Sequence, residues 1–189
     1  MFDVQCARCS AEFCDGDIEK TPSFCPRRTA RKELEEVKKI HAADATVKKI
    51  TTVAYKIETE GYNVWPRAQE LVEFSKSMHY KRLGIAFCVG LKEETRTLCT
   101  ILDRHNFSIS SVCCSIEGGC NPVGQAVVLN KANTELNVVM GLCIGHDILF
   151  AKFSKAPVTT LVVKDRVTCH NPVAPLENRS WQESLLKKK

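Results

Sequence analysis

Four cysteines crowd the first residues of the chain as Cys6-x2-Cys9-x4-Cys14-x10-Cys25, and Pro26 closes the series. Two thiolates two residues apart can grip one metal ion from a tight turn, and Cys14 and Cys25 can complete the ligand set. The segment 1–26 is short of aliphatic side chains and rich in Cys, Asp and Pro. It cannot bury a core, so a bound metal is the expected source of its folding energy. Zinc in a closed structural site, or a small iron–sulfur cluster, suits four such thiolates. The chain holds 11 cysteines, an odd number that cannot be fully paired in disulfides.

A second set of cysteines follows apolar runs: Cys88 after LGIAF, Cys113-Cys114 after FSISSV, and Cys143 after LNVVMGL. Cys120 comes after Gly118-Gly119, just ahead of Asn121-Pro122, where a helix amino end would favour a thiolate. His146-Asp147 follow Cys143, Lys164-Asp165-Arg166 closes a later apolar run, and His170-Asn171 stand just beyond. A single cysteine in an apolar strand is most often a small buried hydrophobe. Three strands ending the same way point instead to a site. The expected ligands there are Cys88, Cys143 and one or both of Cys113 and Cys114, with Cys120 in reserve. Three thiolates can hold an iron–sulfur cluster with one open iron, the favoured expectation, or a zinc ion with an open position. His146 or His170 would then serve as general acid or base, and Lys164, with Asp165 beside it, would meet a small anionic substrate. Two other classes fit the same residues. Cys113, Cys114 and Cys120 could carry thiol exchange or sulfur transfer, or the molecule could be a non-catalytic, metal-stabilised interaction module. Cys99 sits between Leu98 and Ile101-Leu102 and reads as core. His41, His79 and His105 lie among charged neighbours and read as surface.

The elements that must position these groups change character along the chain. Residues 29–60 read as helix, with Leu34, Val37, Ile40, Val47, Ile50, Val53 and Ile57 at three- and four-residue steps and a break near Asp44. Gly61 ends it, and Pro66 opens another helix with Leu71, Phe74 and Met78 on one face. From residue 83 strands and helices alternate. Strands are expected at Leu83–Cys88, Phe107–Cys113, Leu136–Leu142 and Thr159–Lys164. Between them fall a helix from Leu91 to His105, one from Pro122 capped by Asn121, and a short one ending near Phe153. Alternation of this period predicts an α/β fold, a small parallel sheet of about four strands with helices on both faces. In such a sheet ligands bind beyond the carboxyl ends of the strands, where these cysteines fall. The expected division is a metal knuckle at 1–26 and a body at 27–189. The body comprises helices over 27–80, strand–helix alternation over 83–170 and an irregular tail over 171–189.

Bulk properties narrow the classes. A chain of 189 residues with 44% hydrophobic content suits one globular domain plus a small appendage. No signal peptide and no membrane-length apolar run is seen, which predicts a cytoplasmic protein whose thiols stay reduced. Net charge is +5 but aromatics are only 7%, with no basic–aromatic platform, so nucleic acid is not an expected partner.

These motifs resemble a family: the cysteine-rich metal-binding group known as domain-of-unknown-function family eighteen-forty-seven, described as carrying zinc-finger-like motifs. The resemblance rests on Cys6-x2-Cys9-x4-Cys14 with Cys25-Pro26, on GIAFCVGL at 84–91, and on Cys113-Cys114. It extends through CNPVGQAVVLN at 120–130, LNVVMGLCIGHDILF at 136–150, APVTTLVVKDRV and HNP at 156–172. It implies metal binding along almost the whole chain and no particular reaction. Similar chains carry a longer connection, beginning with Lys, where SIEGG alone separates Cys114 from Cys120 here.

Overall fold

The computed structural model describes residues 4–10, 14 and 16–187. The chain forms two compact units, Met1–Tyr55 and Lys56–Lys189. In the first, 3-10 turns at Cys6–Arg8 and Ile18–Lys20 precede α1 (Pro26–Thr29), α2 (Arg31–Ala43) and α3 (Ala45–Gly61), the last continuing into the second unit. The expected break at Asp44 is present. Asp44 leaves the helical region at φ −92°, ψ 107°, and its carboxylate accepts the Thr46 and Val47 N–H groups to cap α3.

The second unit contains α4 (Arg67–Ser77), β1 (Arg82–Phe87), α5 (Lys92–Arg104), β2 (Ser108–Cys113) and α6 (Pro122–Lys131). It continues through β3 (Leu136–Met140), α7 (His146–Phe153), β4 (Val158–Val162), α8 (Ala174–Glu177) and α9 (Arg179–Leu186). The fold is α/β: four parallel strands in the order β2-β1-β3-β4, flanked by helices. The stretch after residue 170, read from the sequence as irregular, is helical over α8 and α9. Pro175 fits the first turn of α8, and Asn178 caps α9 by accepting the Trp181 N–H.

Side-chain alternation builds a core on each face of the sheet. Leu83, Ile85 and Phe87 of β1 and Leu136, Val138 and Met140 of β3 pack with Leu98 and Leu102 of α5 and Leu71 and Val72 of α4. On the other face Ala86 and Val139 meet Ala126 and Leu129 of α6 and Phe150 of α7. Full burial of each large aliphatic side chain contributes about 1.5–3 kcal/mol relative to exposure. The two central strands are thus the firmest support the molecule offers for the loops that follow them.

Two glycines let this packing close. Gly84 pairs with the buried Asn137 of β3, and a Cβ there would sit 2.0 Å from Asn137 Oδ1. Gly141, at φ +63°, turns the chain out of β3, where a Cβ would come within 2.2 Å of Leu91 Cδ1. That turn ends β3 at Met140, two residues before the expected Leu142. Among the described residues no helix is long and apolar enough to cross a membrane.

Candidate functional site

The strand order reverses between β1 and β3, so the crevice of an open parallel sheet lies beyond their carboxyl ends. The loops that meet there begin at Cys88, Cys114, Gly141 and Val163. Cys88 leaves the ladder at the head of a 3-10 turn, Val89–Leu91, while its N–H still bonds the Met140 carbonyl at 3.1 Å. In the β1–β2 register Phe87 faces Cys113, and the next residues, Cys88 and Cys114, share the face that packs on α6. Alternation across the strand therefore settles which member of the vicinal pair joins Cys88. Cys114 does, at 2% exposure, while Cys113 is half-buried, with its sulfur 3.3 Å from Ser115 Oγ and in contact with the Cys114 side chain.

A row of sulfurs results. Cys88 and Cys114 are in side-chain contact, and Cys120 Sγ lies 4.0 Å from Cys114 Sγ. The Val89–Gly90 turn aims backbone N–H groups at two of them, Gly90 at Cys88 and Val89 at Cys114. Lys164 reaches Cys88 from the loop after β4. Two residues further, Arg166 donates from Nη2 to Cys143 Sγ at 3.2 Å and lies within electrostatic reach of Cys88 and Cys120.

The environment divides the thiols. Burial pushes Cys88 upward, but the Gly90 N–H and Lys164 outweigh it and hold this thiol below its ordinary value. Cys114 is pushed up to about 11 by burial and by Cys120 and Cys88, against the opposing Val89 N–H. Burial also raises Cys113, and the Ser115 hydroxyl and N–H more than offset it. Two sulfurs in contact are thus pushed in opposite directions, Cys88 down and Cys114 up.

The other expected residues divide likewise. His146 opens α7, its N–H bonded to the Cys143 carbonyl at 2.8 Å. Asp147 accepts from the N–H of Ile148. Asp165 holds the turn after β4 together: its carboxylate accepts the Val167 and Thr168 N–H groups, and its own N–H donates to His170 Nδ1 at 3.1 Å. His170 and its neighbour Cys169 both adopt left-handed backbone, at φ 66° and 52°. Cys99 is half-buried on α5 against the core, and His41, His79 and His105 are exposed.

In the first unit Cys25 caps α1 just before Pro26, Cys6 and Cys9 share one 3-10 turn, and Cys14 is exposed. Arg27 and Arg28 of α1 reach back to the carbonyls of Gly16 and Thr21. Residues 1–3, 11–13, 15, 188 and 189 fall outside the described residues. Among those described, no group of three or more His, Cys, Asp or Glu side chains stands where it could hold a metal ion.

Sequence reasoning names Arg166 without giving it a role and passes over Gln125. Arg166 was legible as a cation two residues past Lys164. Gln125, fully buried on α6, donates through Nε2 to the Phe87 carbonyl, one residue before Cys88, and to the Val112 carbonyl, two residues before Cys114. Only the packed structure reveals that role.

An open parallel α/β sheet with thiols and cations gathered at its switch point defines the class. The chain belongs to the family described as "Protein of unknown function (DUF1847)", which residues 25–119 and 115–161 match. The two matched stretches meet in the loop between Cys114 and Cys120. An uncharacterised protein of Methanocaldococcus jannaschii is 39% identical over 204 residues, covering 98% of this chain and 100% of that protein. No solved structure matches.

Proposed function

We propose that this protein binds metal at two places, a structural site in the Cys6/Cys9/Cys14/Cys25 knuckle and a functional centre at the sheet edge. The edge centre takes Cys88, Cys114 and Cys120 as thiolate ligands, and Cys143 and Arg166 flank a fourth position. The observation that carries this reading is the pair of backbone N–H groups from one turn that meet Cys88 and Cys114. N–H groups and cations around sulfur are the surroundings that thiolate ligands require. A dication also reverses the effect of crowding, since it deprotonates the thiols it binds.

The sulfurs must draw closer by side-chain rotation, and the 4.0 Å between Cys114 and Cys120 leaves little to close. Around a tetrahedral zinc with bonds of about 2.3 Å, sulfurs stand about 3.8 Å apart. That spacing supports a single ion of the zinc type more than an iron–sulfur cluster. Lys164 and Arg166 would offset the charge of the thiolates and meet an anionic ligand at the fourth position. His146 and His170 are the proton carriers nearest in sequence to Cys143 and Lys164.

The test is metal and acid-labile sulfide analysis of anaerobically purified protein and its variants. Cys88→Ser, Cys114→Ser and Cys120→Ser should each lose the same equivalent of metal, and Cys99→Ala should lose none. Absent sulfide would identify a single ion, and stoichiometric sulfide a cluster. Full metal content in the Cys88→Ser and Cys114→Ser variants would reject the edge centre.

A further inference from the structure

The loop from Cys114 to Cys120 has a geometry that metal binding alone does not require. Asn121 N–H closes its base on the Cys114 carbonyl at 2.7 Å, and Asn121 Oδ1 accepts the Gly124 N–H at 2.7 Å. The Asn121 amide also donates to Glu117 within the loop. This pinned base holds the two sulfurs 4.0 Å apart, one almost fully buried and the other exposed. Between them Gly118, at φ +80°, and Gly119 have no heavy atom near the place a Cβ would occupy. No described side chain packs against the loop at these two positions. A disulfide bond of about 2.05 Å requires the sulfurs to approach by only about 2 Å.

We propose that Cys114 and Cys120 form an oxidation site, at which an oxidant of the peroxide class joins the two thiols in a disulfide that closes the 114–120 loop. The exposed Cys120 sulfur attacks the O–O bond. That bond breaks, one oxygen leaves as water with the thiol proton, and Cys120 becomes a sulfenic acid. The Cys114 sulfur then attacks the Cys120 sulfur, the S–S bond forms, the S–O bond breaks and a second water leaves. Two thiols lose two electrons, and the peroxide is reduced to two waters. Cys113 also touches the Cys114 side chain, but its sulfur is engaged by Ser115 Oγ at 3.3 Å, and adjacent residues, with Cα atoms about 3.8 Å apart, fall short of the usual span of a disulfide. Cys88 is buried beside Cys114, so of Cys88, Cys114 and Cys120 only Cys120 is exposed.

The site needs only these two thiols and so goes beyond the metal reading. Where a metal is bound, the disulfide withdraws two of its ligands and releases it. The experiment treats reduced, chelator-stripped full-length protein with hydrogen peroxide, alkylates the remaining thiols, and maps the products by mass spectrometry. Cleavage after Arg104, Glu117 and Lys131 puts Cys113 and Cys114 on one peptide and Cys120 on the next. The expected product is those two peptides cross-linked, lighter by two hydrogens. The link should persist in Cys113→Ser and vanish in Cys114→Ser and Cys120→Ser. A bond running through Cys113 or Cys88, or Cys120 passing to sulfinic acid while Cys114 is still alkylated, would overturn the proposal. A second arm follows metal release from metal-loaded protein, expected in step with the cross-link. Protein that takes up no metal but still forms the 114–120 link rejects the metal reading and upholds the oxidation site.

Discussion

Single residues decide how charge is placed in this molecule, and Cys114 and Glu135 do so in opposite ways. Cys114 is buried and crowded by other sulfurs, and both push its thiol up. Glu135 is surrounded by donors. Its Oε2 accepts the backbone N–H groups of Lys81 and Arg82 at 2.7 and 2.8 Å, joining the entry of β1 to that of β3. Those bonds, Arg82 first, hold the carboxyl below its ordinary range. A carboxyl depressed on folding contributes stability that is complete above its unfolded value, about 4.3, and is lost as pH falls through the folded value. Glu135→Gln should therefore cost about 1 kcal/mol near neutrality, discounted for partial exposure, and almost nothing well below pH 4. Denaturant midpoints at the two pH values check this. An equal loss at both would show that the charge is immaterial.

At the scale of elements, the four strands, the flanking helices, the Asp44 break and the Asn121 cap were legible because each has a local signature. The strands end earlier than expected wherever the backbone must turn, at Phe87, Met140 and Val162, and the cysteines and Lys164 stand in the turns that follow. The choice between Cys113 and Cys114 was not legible, because alternation fixes two faces but only pairing with β1 says which one meets α6. Nor was Gln125. Its amide ties the ends of β1 and β2 together by bonding the Phe87 and Val112 carbonyls, the first of which also accepts the Cys114 N–H, while its own Oε1 is buried with no partner among the described residues. Gln125→Leu keeps the volume and removes both donors, which should destabilise the protein by about 1–3 kcal/mol. Chemical denaturation reads this directly. A change below about 0.5 kcal/mol, the range of surface substitutions, would mean that these bonds contribute nothing.

At the scale of the whole molecule, the two ends of the chain are sustained by different physics. The α/β body has a core on both faces of its sheet, anchored by side chains such as Leu83, Ile85, Leu102, Leu129 and Val138 that are fully buried. That packing predicts a body that stays folded without metal. The segment before α1 has no buried side chain among its described residues and is held by turn hydrogen bonds and the reach of Arg27 and Arg28. Such a segment cannot offset the entropy of ordering its backbone, about 1–2 kcal/mol per residue, without a cross-link or an ion. Under the metal reading the ion is that cross-link. Stripping metal from the full-length protein should open tryptic cleavage at Arg8 and Lys20 while the body's far-ultraviolet circular dichroism and unfolding transition persist. Cys9→Ser and Cys25→Ser should reproduce that cleavage without chelator, and each should lower metal content by about one equivalent, separate from the equivalent lost at the sheet edge. Protease resistance of residues 1–26 in stripped protein would mean that turns and arginine contacts suffice, and the knuckle would then have no folding role for a metal.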